Sequence, residues 1–236
     1  MKIVVFEPHP DDLLFGPGPI LLDWIAEGVH DIHIVTVTDG RACYREADER
    51  ACYREADDTF SDDVATMTED DVAKMRINEA KKSIEFLGLP PENHHLFYFH
   101  DADGHKYVKK GIKKAMPIIK DVERLVLPST HNRHIDHQAT HDIAIGTAKE
   151  LNLTNIEYFV YFIASYGKFQ DDSKEKQFDY TIDEETAKIL KDWLEIYQSQ
   201  TKLKWTWKMY SRYIRKVRTW TYAKYSFSDI RKYYNF

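Results

Sequence analysis

Short β-branched runs alternate with segments of helical spacing over about the first 160 residues, and that alternation narrows the fold more than any other feature. KIVVF (2–6) and DIHIVTV (31–37) are strand-like, and PILLDWIAEG (19–28) between them has a helical apolar period that stops at Gly28. Such an opening favours parallel strands joined by a right-handed crossover. The pattern continues with a helix over 72–88, closed by Gly88 and Pro90, and a strand at HHLFYF (94–99). A helix over 106–121, a strand at RLVLP (124–128), a helix over 136–151, a strand at 156–162 and a helix over 183–200 follow. The expected fold is α/β: a Rossmann-like, doubly wound, mainly parallel sheet forming a single domain over 1–200. Residues 201–236 are expected to add a helical, basic and aromatic C-terminal extension.

The chain has no run of about 18 apolar residues, which argues against a membrane span. Its N-terminus lacks a charged, apolar and cleavable pattern, so a cytoplasmic location is expected. Cysteine counting says little here. Residues 41–49 (RACYREADE) and 50–58 (RACYREADD) are a tandem duplication, so Cys52 is a copy of Cys43. Nine residues place a helical copy half a turn out of phase and a strand copy on the opposite face. The duplication therefore reads as a tolerated insertion in a surface segment. It lies within an acidic excursion over 41–75, with eleven acids against five bases, that is too long for an ordinary connection.

In α/β sheets of this kind ligands sit beyond the carboxyl ends of the strands. The first strand exits into EPHPDD (7–12), which puts a histidine and two adjacent carboxylates beside a core. Charge in such a place needs compensation, and a metal ion supplies it economically. His9 and Asp12 are three residues apart and can share one ion in a tight turn. A catalytic zinc site needs a third protein ligand. HNRHIDH (131–137), after the RLVLP strand, is its source. Asp39 and Gly40 follow the second strand at the same edge.

With these motifs the chain resembles the PIG-L/LmbE-like family of metal-dependent de-N-acetylases. The matching pieces are PHPDD (8–12), TDG (38–40), R-x-x-E at Arg76–Glu79, HIDH (134–137) and YQSQ (197–200), in the family's order over roughly residues 1–200. The resemblance implies His9, Asp12 and His137 as metal ligands and Asp11 as general base. It implies His134 as the group assisting at the oxyanion, with Asp136 orienting its imidazole. The implied cofactor is zinc, with ferrous iron as second candidate. The implied reaction is hydrolysis of an N-acetyl group on an N-acetylglucosamine-type sugar conjugate. A non-catalytic sugar-binding protein on the same fold is the alternative. The chain departs from the family in Leu13, where many members have an acid, in Pro8, and in GPGP (16–19), which is stiffer than the usual glycine-rich helix start.

Other polar residues have plainer readings. Arg76 is either a substrate contact or one half of a buried ion pair, and Asp39 either a substrate contact or structural. Both are carried as candidate substrate-binding residues. His131 and His141 are not expected to be ligands, and His141 and Arg133 are read as surface residues. The extension holds ten Lys and Arg against one acid, hence +9, leaving −15 for residues 1–200. Its Tyr210, Tyr213 or Ile214, and Val217 would share a helical face. That face either packs on the domain or another subunit, the preferred reading, or lies on an anionic membrane. Nucleic acid is not an expected partner.

Overall fold

The computed structural model describes residues 1–44, 67–163, 171–201, 214 and 218–234. The strands are β1 (Lys2–Glu7), β2 (Asp31–Thr38), β3 (His94–Phe99), β4 (Arg124–Pro128), β5 (Glu157–Tyr161), β6 (Gln177–Thr181) and β7 (Thr219–Tyr225). They form one sheet in the order β3-β2-β1-β4-β5-β7-β6. β1 to β5 are parallel, while β7 is antiparallel to both β5 and β6. The helices are α1 (Asp12–Phe15), α2 (Gly18–Ala26), α3 (Glu69–Phe86), α4 (Val108–Ile119), α5 (Ile135–Glu150), α6 (Glu184–Leu194), α7 (Gln198–Thr201) and α8 (Phe227–Tyr233). The mainly parallel α/β sheet expected from the alternation is present. Among the described residues no helix is long and apolar enough to cross a membrane.

β1 shows why the sheet is covered on both faces. Ile3 and Val5 pack into a core with Leu13, Leu21 and Trp193, while Val4 and Phe6 pack into another with Ile119, Ile143 and Val160. A strand buried on both sides reads as a continuous apolar run, which is what KIVVF is. Each of these side chains contributes about 1.5–3 kcal/mol by leaving water.

Two elements depart from the sequence expectation. The helix over 183–200 stops at Leu194 and resumes as α7. Trp193 Nε1 and Tyr197 Oη, on either side of the break, both donate to Ser83 Oγ on α3, at 2.7 and 2.8 Å. The extension is not helical throughout, because TWTYAKY alternates in the strand period. Trp220 and Tyr222 face one core, Ala223 and Tyr225 the other. Its Arg218 pairs with Glu184 at 3.0 Å, and Tyr233 and Tyr234 are buried. Most of the duplication, with Tyr210, Tyr213 and Val217, lies outside the described residues.

The strand order positions the site. β1 has β2 on one side and β4 on the other, so connections diverge at the carboxyl end of β1. This is the topological switch point where such sheets leave a crevice. EPHPDD exits from β1 and HNRHIDH follows its neighbour β4, which is why two segments more than 100 residues apart meet.

Candidate functional site

The exit of β1 is clamped from β2. Pro8 O accepts Thr38 N and Thr38 Oγ1, each at 2.9 Å. Glu7, buried at the last position of the strand, accepts Leu13 N at 2.9 Å, and its Oε1 lies 2.6 Å from Thr36 Oγ1. These bonds fix the turn between Pro8 and Leu13. Thr36 Oγ1 also lies 2.8 Å from His94 Nε2. Burial pushes the Glu7 carboxyl from 4.5 up to about 8, against the hydrogen bonds from Thr36 and Leu13. When neutral, Glu7 donates its proton to Thr36, and Thr36 donates to His94, which burial keeps unprotonated down to about 4.

The folded chain thus holds a proton on Glu7 that the unfolded chain has released between those two values, so stability falls as pH rises from about 4.5 to about 8. Glu7→Gln keeps the shape and removes the titration. Thermal melts in chelator are expected to show a flatter decline between about pH 5 and pH 8, with the variant ahead at pH 8 by on the order of 2–4 kcal/mol. An unchanged slope contradicts the burial of a titrating acid here.

The turn presents His9 and Asp12, and α5 presents His137, toward one point. His9 Nδ1 is 2.9 Å from Asp12 Oδ2, and His137 Nε2 is 3.2 Å from the same oxygen. The two imidazole centroids are 5.2 Å apart. Donor separations of roughly 3.3 Å are those of a tetrahedral site with 2.0–2.1 Å bonds, so the residues fit a divalent cation. Burial acts to raise the Asp12 carboxyl, but His137 and His9 outweigh it and hold it well below the usual range. Burial lowers His137, against Asp12, so its imidazole is neutral as a ligand must be. Asn132 Nδ2 lies 2.9 Å from His137 Nδ1. The same amide's Oδ1 accepts His134 N at 2.8 Å, which fixes its orientation, so Nδ2 donates to His137 Nδ1 and holds the ring with Nε2 toward Asp12.

The second nitrogen of His9 is held by two carboxylates, one of them unforeseen in the sequence. Nε2 lies 3.1 Å from Asp101 Oδ1 and 3.3 Å from Asp136 Oδ2. Burial disfavours the charged form of His9, but Asp101 and Asp12 overcome this and raise its pKa well above 6.5. A cation bound at Nδ1 must therefore displace a proton. Asp101 follows β3, and its Oδ2 accepts Ala42 N at 3.0 Å. Asp136 was expected on His134. Its oxygens instead accept Ala102 N and Gly104 N, each at 2.7 Å, as well as meeting His9. Its backbone N–H is what reaches His134, at 3.3 Å from Nδ1. Ala102 sits at φ 66, a conformation costing about 1–2 kcal/mol outside glycine, and there its N–H serves both Asp101 and Asp136. A Cβ at Gly104 would stand 2.6 Å from Asp136 Oδ1, so only glycine lets the backbone come this close.

Asp11 points the other way along the turn. Its Oδ1 pairs with Arg76 Nη2 at 2.5 Å, both side chains being buried. Burial disfavours the Arg76 charge, but Asp11 and its other neighbours outweigh it and hold the pKa well above the ordinary arginine value, so the guanidinium is always charged. Gly40 (φ 69) makes room for it, since a Cβ there would lie 2.2 Å from Arg76 Nε. One turn on, Glu79 accepts Ser199 N at 2.7 Å and Ser199 Oγ at 2.6 Å. The R-x-x-E and YQSQ segments are thus one support behind Asp11. Asp39 is committed to Arg41, at 2.8 Å from its Nη2, and Arg41 also holds Asp70 at 3.0 Å.

His134 caps α5 and stands edge-on to His9, with centroids 4.7 Å apart. It is half-buried, facing the same crevice. His141 corrects the surface expectation. It is 2% exposed, with Nδ1 2.8 Å from Pro128 O and its ring packed on Tyr234. Its position one turn beyond His137 on the inward face of α5 could have signalled this.

A family model described as PIG-L, GlcNAc-PI de-N-acetylase, matches residues 4–148. No curated protein matches. Among solved structures, a deacetylase–bog complex from the teicoplanin biosynthesis pathway is similar at TM-score 0.66 and 17% identity, over 95% of this chain and 97% of that one. The N,N'-diacetylchitobiose deacetylase of Pyrococcus horikoshii, complexed with its inhibitor MPG, gives TM-score 0.66 and 16% identity over 96% and 84%. A zinc-inhibited form of a teicoplanin deacetylase gives 0.63 and 16% over 95% and 99%. At such identities the likeness is one of fold.

Proposed function

The chain belongs to the PIG-L (GlcNAc-PI de-N-acetylase) family, and on that premise we propose that it is a metal-dependent hydrolase removing the N-acetyl group from an N-acetylglucosamine-type sugar conjugate. The observation that carries the reading is the convergence of His9 Nδ1, Asp12 Oδ2 and His137 Nε2 on the turn that also carries Asp11. In this reading those three residues hold zinc, with ferrous iron as the other candidate, since two imidazoles and a carboxylate suit both. A cation held there would supply Lewis acidity for the acetyl carbonyl and lower the pKa of water toward neutrality.

The remaining chemistry belongs to the chain. Asp11 takes a proton from the attacking water and delivers it to the departing amine, so that water and amide become acetate and free amine. Arg76 holds Asp11 Oδ1 and thereby fixes the base within the turn. His134, at the mouth of the crevice, donates to the oxyanion that develops at the acetyl carbonyl. Asp136 and Asp101 hold His9 rather than His134, so their role is to aim Nδ1. Arg76 and Asp39, each tied to a charged partner, support the walls of the site.

The test is direct. The purified protein, loaded with zinc or with ferrous iron, is offered N-acetylglucosamine conjugates, and acetate and free amine are quantified. Equimolar release of both is expected. Sugar binding without release under either metal would leave a non-catalytic sugar-binding protein instead.

A further inference from the structure

The 17 residues from Gly104 to Lys120 contain six lysines and no acid, within residues 1–200 that carry −15 overall. Other surface helices mix their signs, as α3 does with Glu69, Asp70, Lys74, Glu79, Lys81 and Lys82. In α4 the apolar side is spent on the core, with Gly111, Ala115 and Ile119 buried. Lys109, Lys110, Lys113 and Lys120 are exposed on the opposite side, with Lys106 just ahead of them. Lys106 is neutralised by Asp103 at 2.7 Å. Among the described residues Lys109, Lys110, Lys113 and Lys120 have no carboxylate within 4.0 Å. Like charges three and four residues apart cost about 0.2–0.5 kcal/mol per pair. Lys110, 5.7 Å from the Phe99 ring centroid, and Lys114, which donates to Phe97 O at 3.1 Å, gain fold contacts in return, while among the described residues Lys109, Lys113 and Lys120 make no ion pair to offset it.

The stripe is about 18 Å long over α4 alone. It begins where Gly104 donates to Asp136, so it is continuous with the crevice. We propose that this lysine face docks a linear polyanionic glycan whose N-acetylated sugar enters the site. The glycan assignment rests on the deacetylase reading above; the anion-binding face does not. The geometry favours this occupant over two others. A membrane surface helix offers apolar side chains to the bilayer, and here those side chains are buried. Single-stranded nucleic acid needs aromatic platforms, and the rings against the stripe, buried Phe99 under Lys110 and half-buried Tyr107, are stacked on each other.

Binding of the full-length protein to a hyaluronan oligosaccharide and to an uncharged N-acetylchito-oligosaccharide of equal length tests this. At low salt the wild type should prefer hyaluronan by about tenfold or more, and high salt should erase the preference. K109E/K113E/K120E should lose the preference, while K109R/K113R/K120R keeps it and both melt like the wild type. Equal affinity for the two glycans, or a preference that survives charge reversal, overturns the proposal. So does charge-dependent capture of anionic vesicles or oligonucleotides without capture of hyaluronan. Deacetylation of the neutral oligosaccharide is scored separately. Its absence refutes the enzymatic reading while the binding result stands, and its persistence in K109E/K113E/K120E is expected.

Discussion

Asp11→Asn in the metal-loaded protein is expected to lower turnover on an N-acetylglucosamine conjugate by roughly 10²–10⁴-fold with metal content unchanged. The asparagine has nearly the same shape, and its Oδ1 can still accept from Arg76, so the turn between Pro8 and Leu13 survives. What it loses is the capacity to take a proton. Asp11 lies next in sequence to Asp12 but faces Arg76 rather than His9 and His137, and this divergence supports the proposal that base and ligand are different residues. Acetate release is the readout, with zinc content measured on the same sample. An undiminished rate would mean that another group moves the proton.

Arg76→Met should destabilise the fold by about 3–5 kcal/mol in urea melts, because it leaves the Asp11 charge buried without its cation. Methionine follows the path of the arginine stem past Gly40, so the loss is one of charge rather than of volume. Adding Asp11→Asn to Arg76→Met should recover much of the stability and none of the turnover. That separation matters, since a merely structural arginine would show the same cost in both backgrounds. A single variant within about 0.5 kcal/mol of wild type would remove the ion pair from the account of how the base is held.

The parts of the site legible in the sequence are those written as contiguous motifs at strand ends. EPHPDD after an apolar run and HIDH after RLVLP could be placed at one sheet edge because α/β topology sends ligands there. Asp101 was not legible. It sits in HDADG without a spacing that distinguishes a supporting carboxylate from a turn residue, and its role appears only when β3 brings it against His9. Glu7 was equally silent. A glutamate at the end of a strand looks solvated until β2 supplies Thr36 to hold it. The resemblance put Asp136 on His134, whereas its carboxylate lies 3.3 Å from His9 Nε2. The N-cap geometry instead turns its carboxylate back toward Ala102 and Gly104.

The extension shows a different limit. The amphipathic helix was expected over Tyr210, Tyr213 or Ile214, and Val217, mostly outside the described residues, whereas farther on Trp220, Tyr222 and Tyr225 lie in a strand between β5 and β6. Period two and period 3.6 both place large residues on a buried face over so few positions, and strand partners decide between them.

Zinc stoichiometry after equilibration and gel filtration tests the central claim most directly. Wild-type protein should retain one ion per chain, Asp11→Asn the same, and His137→Ala a small fraction of it. Full retention by His137→Ala would show that His9, Asp12 and His137 do not together hold a cation, and the assignment of the site would have to be abandoned.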